Sequence, residues 1–314
     1  VTIPTRPVVF ALVLALALGL ITWARGGDAF STTRTIRLAT WNLQWLVSPG
    51  TARAARIACR EGRPSPLPCD VARGHARDSA DFGALAREAS RLHADVIAFQ
   101  EVEDAAVARR VFRGYDICIA PGHGVQHAGF AIRRNLQARC EAPLDTLAAG
   151  GRGRSGQVLT LHVPGGPPWH LLSVHLKSGC SREPLESANA SCRLLARQAE
   201  ALGEWIAARV AGGEPFIVLG DLNRAGVPRQ GDEFWDLLGA HTFEAAASHL
   251  AYRNCVFGAP YREFIDHILV DRALLPQLHA EGFVQLPFPI SKSIRFRLAD
   301  HCPIRVSLTA GTAL

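Results

Sequence analysis

Apolar and polar positions alternate along this chain in short runs, and several runs end in a charged or polar group. Residues 36–46 (Ile-Arg-Leu-Ala-Thr-Trp-Asn-Leu-Gln-Trp-Leu) predict a first strand. Asp95 to Phe99, 115–119, 128–133, 157–163, Trp169 to Leu176 and Phe216 to Leu219 predict further strands. Phe264 to Val270 and Cys302 to Leu308 predict the closing ones. Two stretches carry a helical period instead. In 79–93 the apolar positions Phe82, Leu85, Ala89 and Leu92 share one face, and 190–211 has Leu194, Leu195, Leu202, Trp205 and Ile206. Residues 47–78, rich in Arg, Pro and Gly, predict a long surface loop stapled by Cys59 and Cys69. Several strands follow one another without a helix, which predicts α+β layers rather than a pure βαβ winding.

One run differs from the rest. Val8 to Trp23 is unbroken apolar or small, is preceded by Arg6, and falls short of the roughly 20 residues that span a bilayer. It reads as the apolar region of a secretory signal, with Gly27-Asp28-Ala29 as the cleavage site. An uncleaved N-terminal anchor over residues 8–23 is the alternative. The expected organisation is therefore a signal or anchor over 1–29 and one catalytic domain over 30–314, exported to the periplasm or beyond. The eight cysteines agree with export, because all lie after that run and none forms a CxxC pair. Eight cysteines allow 105 pairings. The pairing expected here is Cys59–Cys69, Cys180–Cys192, Cys118–Cys140 and Cys255–Cys302, with buried free thiols as the alternative.

Composition adds little: 48 % apolar and 20 % charged residues suit a globular core, and the formal charge of +6 favours an anionic substrate without specifying one. Among the bases only Lys177 and Lys292 are lysines. Arginine suits bidentate phosphate binding, and GC-rich coding explains the bias equally well.

The chemistry lies where the strands end. Glu101 follows Val-Ile-Ala-Phe99 and suits a hard cation. Gly220-Asp221-Leu222-Asn223 puts a water-activating carboxylate and an amide at a turn. Asp266-His267 and Asp300-His301 each join a carboxylate to an imidazole it can orient. His175 ends a strand, and Lys177, two positions on, shares its face and points at the same phosphate. Asn42 is a polar amide between Trp41 and Leu43 that needs a partner. His123 and His127 sit in a Gly-rich turn. HExxH, a P-loop and G-x-S-x-G are all missing, which leaves zinc peptidase, P-loop and hydrolase-elbow chemistry unsupported.

In this order the blocks resemble the endonuclease/exonuclease/phosphatase superfamily, the fold of DNase I-like nucleases, over Ile36 to Leu308. The resemblance implies a four-layer α/β/β/α sandwich with a cleft at the shared edge of two central sheets. It implies Glu101 as principal metal ligand, with Asn42 and Asp300 assisting at the metal or phosphate. Asp221 would position or activate water beside Asn223, Asp266 would orient His301, and His301 would stabilise or protonate the scissile phosphate. His175 matches the second histidine of the DNase I-like branch, and Arg154 a phosphate-contacting arginine. Gln44 stands where some relatives carry an acidic ligand, so one Mg²⁺ or Mn²⁺ is expected.

The function expected is an exported metal-dependent phosphodiesterase, an endonuclease acting on DNA or RNA. One alternative is a phospholipid head-group phosphodiesterase, sphingomyelinase-like, touching lipid through Phe283 to Pro289, or another phosphoesterase such as a phosphomonoesterase, since surface loops choose the ester. Another is a non-catalytic binding module on the same fold.

Overall fold

A computed structural model describes Val1 and residues 33–311, apart from positions 75, 121, 123, 230, 249, 256–261, 280 and 281. The Val8–Trp23 run, its cleavage site and His123 lie outside the described residues. Among those described, no helix is long and apolar enough to cross a membrane.

Among the described residues, twelve strands form two six-stranded sheets. In the first, β1 (Arg34–Leu46) runs parallel to β2 (Val96–Val102) and antiparallel to β12 (Ile304–Ala310). β4 (His127–Arg133), β3 (Tyr115–Ile119) and β11 (Val284–Gln285) complete it antiparallel. In the second, β7 (Trp169–His175) runs parallel to β8 (Phe216–Asp221), and β10 (Asp266–Asp271) runs antiparallel to β8. β6 (Gln157–Leu161), β5 (Ala138–Cys140) and β9 (Phe243–Ala245) lie outside these.

Both faces of each sheet are covered, and the strand period shows it. Ile36, Leu38, Val96 and Ala98 point between the sheets, where they meet Leu171, Ile217, Leu219 and Ile268. The alternate residues Ala39, Trp41, Ile97 and Phe99 pack outward on α3 (Ser79–Arg91) and α4 (Ala105–Val111). On the second sheet Leu172, Val174, Phe216 and Val218 pack on α5 (Ala190–Gly212) and α6 (Glu233–Leu237). Three apolar cores thus separate four layers, as the family resemblance implies.

One expectation is corrected. Residues 47–78 are not a loop: they hold α1 (Pro49–Arg60) and α2 (Cys69–Gly74). Ser48 caps α1 by accepting from Thr51 N, and Pro49 opens it. Ala52, Ala55, Val71 and Ala72 make a small core there. Counting Arg, Pro and Gly hid that short apolar spacing. The four cysteine pairs are those expected.

The Phe283–Pro289 segment packs inward. Phe283 meets Phe264 edge-on at 5.9 Å, and Phe288 is buried against Trp41. α7 (Ile290–Arg295) follows it.

Candidate active site

Strand direction brings the polar blocks together. Parallel neighbours β1 and β2, and β7 and β8, end on one edge, and the antiparallel β10 and β12 begin there. Strand parity then selects the side chains. Asn42, His175, Asp221 and Asp266 continue the inter-sheet series of their strands, so the apolar layer gives way to a polar one at its rim. One step deeper, Gln100 Nε2 donates to Thr40 Oγ1 at 3.1 Å and Ser173 Oγ at 3.2 Å, tying the two sheets together beneath the rim.

Glu101 breaks the parity and still reaches the site. Its φ is +61°, and both ladders of β2 shift register beside it. Gln44, Trp45 and Asn223 share the left-handed conformation, at φ of 47°, 52° and 52°. Such backbone is costly for non-glycine residues and gathers at functional sites.

The side chains meet around a cavity of about 370 Å³. Eight of the ten expected residues line it: Glu101, Arg154, His175, Lys177, Asp221, Asn223, Asp300 and His301. Asn42 and Asp266 stand behind the wall. Asp266 Oδ2 accepts from His301 Nδ1 at 2.7 Å, and His301 Nε2 faces Asp221 and Asp300, each at 3.9 Å. Asn223 N–H donates to Asp221 Oδ1 at 2.9 Å.

Burial and charge tune this group. Burial pushes Asp221 up to about 7, against the lowering charge of His301. Burial alone would lower His301, but the charge and hydrogen bond of Asp266, joined by Asp221 and Asp300, push it up to about 10. Burial holds His175 well below its usual value, helped by the Arg154, His301 and Lys177 charges. His175 therefore meets Glu101 at 3.6 Å and Asp221 at 3.5 Å as a neutral ring rather than an ion-pair partner.

Two expected parts change in detail. Asn42 Oδ1 accepts from Gln44 N–H, and its Nδ2 donates to Glu101 Oε1 at 3.1 Å and Asp221 Oδ2 at 3.0 Å. The Gln44 contact fixes the amide's orientation, so that Asn42 Nδ2 aligns the two carboxylates. Arg154 spends three N–H groups on His175 O, Leu176 O and Gln126 Oε1. It braces the end of β7, and two of its five N–H donors are not used in these contacts.

Asp221, Asp266 and His301 lie within 4.8 Å of one another and form one acid–imidazole group. His301 Nδ1 is engaged by Asp266 Oδ2, which leaves Nε2 facing Asp221 and Asp300. Cys180 and Cys192 also approach Glu183, but they are bonded to each other. Glu101 better suits a hard cation: Oε2 is held by Trp45 N–H at 2.9 Å and Oε1 by Asn42, which aims the carboxylate at the cavity wall. Asp300 is raised by burial and by the Glu101 charge, against His301. That crowding of carboxylates fits a divalent cation.

Two features escaped the sequence. His267, one position from Asp266, points to the opposite face, where Nε2 contacts Arg224 O at 3.0 Å and the ring meets Trp235. Arg77 is buried and donates to the carbonyls of Gln44, Trp45, Arg297 and Leu298. It ties the end of β1 to the segment that carries Asp300. The capping box of Asp78 and Asp81 beside it was the one signal that a structured turn lay there.

The Endonuclease/Exonuclease/phosphatase family model matches residues 39–301. No curated protein matches the chain significantly in sequence. Solved structures of similar fold include truncated TDP2 of Caenorhabditis elegans, 16 % identical with a TM-score of 0.58, covering 88 % of this chain and 98 % of that one. The APE2 catalytic domain of Xenopus laevis is 13 % identical with a TM-score of 0.57, covering 89 % and 94 %. A mannosyl-6-phosphatase of Bacteroides thetaiotaomicron is 14 % identical with a TM-score of 0.54, covering 87 % and 99 %. With the family model spanning both sheets from β1 to His301, the chain belongs to the endonuclease/exonuclease/phosphatase family.

Proposed function

We propose that this protein is an exported nuclease that hydrolyses phosphodiester bonds of DNA by water attack with one Mg²⁺ or Mn²⁺. Family members are phosphoester hydrolases, typically dependent on a divalent metal. The observation that carries the reading is the pairing, across one cavity, of the raised Asp221 carboxylate with the cationic His301.

Asp221, at about 7, is matched to accept a proton from water near neutral pH. Asn42 and the Asn223 backbone N–H hold that carboxylate in place. His301, fixed by Asp266, carries positive charge toward the non-bridging oxygens of the phosphate. Glu101 and Asp300 would hold the cation, which when bound neutralises charge developing on the phosphoryl oxygens. Lys177 and the remaining Arg154 donors bring the anionic substrate to the cavity. Four disulfides support an oxidising compartment such as the periplasm or the exterior.

The test is plasmid nicking by the disulfide-intact protein with Mg²⁺, Mn²⁺ or EDTA, beside His301→Ala. Nicking that needs the metal and drops about 10²-fold or more in the variant is expected. Folded protein that hydrolyses a small phosphoester but leaves plasmid intact would reject the nuclease reading.

A further inference from the structure

A larger cavity of about 720 Å³ lies between α1 and α2 and shares no lining residue with the catalytic one. Arg53, Arg56 and Arg60 of α1, Arg73 of α2 and the buried Arg77 line it, over a surface that includes Ala52 and Ile57. Among the described residues, Arg53, Arg56, Arg60 and Arg73 have no acidic partner. The one acid on the wall, Asp78, is spent on the N–H groups of Ala80 and Asp81 at the start of α3. Four guanidinium groups without an acidic partner share a concave, partly apolar surface with the buried Arg77, and such an excess of positive charge draws in anions.

The spacing narrows the ligand. Positions 53, 56 and 60 stand on one face of α1 and span about 10 Å at 1.5 Å per residue. About three nucleotide steps of one strand cover that length. Planar guanidinium forks suit successive phosphates, and the apolar surface suits the sugar or base edge. Arg77 connects the two cavities. It lines this one, and it donates to the backbone of Gln44 and Trp45, which line the other.

We propose that the α1–α2 cavity binds the phosphate backbone of a nucleic-acid substrate a few nucleotides from the scissile bond. This rests on the nuclease reading above. The cavity adds length recognition: short fragments that cannot fill both cavities bind weakly, and longer strands bind well.

The experiment uses the full chain and the triple variant Arg53→Gln/Arg56→Gln/Arg60→Gln. Glutamine keeps helix propensity, and all three positions are exposed. Binding of a 20-nucleotide DNA is measured by anisotropy in EDTA across salt concentrations. Cleavage of the same DNA and hydrolysis of bis(p-nitrophenyl) phosphate are measured with Mn²⁺. In the variant, DNA KM should rise about tenfold, the slope of log K against log salt should lose about 2–3 units, and small-ester hydrolysis should stay unchanged. Wild type that cleaves DNA, with a variant of unchanged KM and salt slope, overturns the cavity proposal alone. Wild type that hydrolyses the small ester but neither binds nor cleaves DNA overturns the nuclease reading, and the cavity proposal with it. Loss of binding to phosphatidylserine vesicles, with DNA kinetics untouched, would assign the cavity to lipid phosphates and overturn it as well.

Discussion

Single residues here do chemistry because their neighbours hold a particular charge. His301 stays cationic through Asp266 Oδ2 at 2.7 Å, so Asp266→Asn should remove that support. Activity should fall about 10²–10⁴-fold, and the alkaline limb of the pH–rate profile should move down from about 10. An unchanged limb would assign it to another group. Stability carries the same signature. Asp221 and His301 both sit above their unfolded values of 3.8 and 6.5, at about 7 and about 10. Each therefore contributes stability that is full below its unfolded value and is lost as pH rises through its folded one. Metal-free protein should lose urea resistance from about pH 4 to about pH 10, and Asp221→Asn should flatten the lower part of that decline. Stability that rises across the range in EDTA would contradict this. The sequence showed which polar residues stand at the ends of apolar runs, and eight of the ten expected residues line one cavity. It did not show their protonation states, which depend on burial among groups distant in the chain.

At the level of elements, the site depends on strand ends lying at one height. Gly220 lets β7 and β8 pair closely, with φ of +153°. A Cβ there would stand 2.0 Å from the carbonyl oxygen of Val174. Gly220→Ala should therefore cost about 3 kcal/mol or more, read as a lower urea midpoint with unchanged m. It should also displace Asp221 and reduce activity. Strand parity made the inward direction of Asn42, His175, Asp221 and Asp266 readable once the strands were drawn. Glu101 was readable as a residue type but not as a direction, because its left-handed backbone turns it against the alternation. The helices α1 and α2 were missed, because the buried face of the twelve-residue α1 is made of alanines and the six-residue α2, tied to it by a disulfide, is too short to show a period.

Across the whole molecule, disulfides close loops of very different length. Cys255–Cys302 spans 47 residues and Cys180–Cys192 spans 12. Chain entropy assigns about 4 kcal/mol to the longer loop and about 3 kcal/mol to the shorter. Cys255→Ser/Cys302→Ser should lower the melting temperature more than Cys180→Ser/Cys192→Ser, by scanning calorimetry. Cys302 also follows His301 directly, so the first double variant should lose more activity at temperatures where both are folded. The reverse order would mean that local packing around each bridge outweighs loop closure.

The sequence by itself determined the α+β class and placed polar groups at the ends of apolar runs, because period and strand-end polarity are local signals; the four-layer arrangement came from the family resemblance, and the structure bears out the cysteine pairing. Tertiary structure alone decided that Asn42 donates to carboxylates, that Arg154 braces carbonyls, and that Arg77 joins two cavities. Those outcomes depend on which atoms meet across about 20 to 220 positions of chain, and on the desolvation they suffer together. No local pattern encodes that.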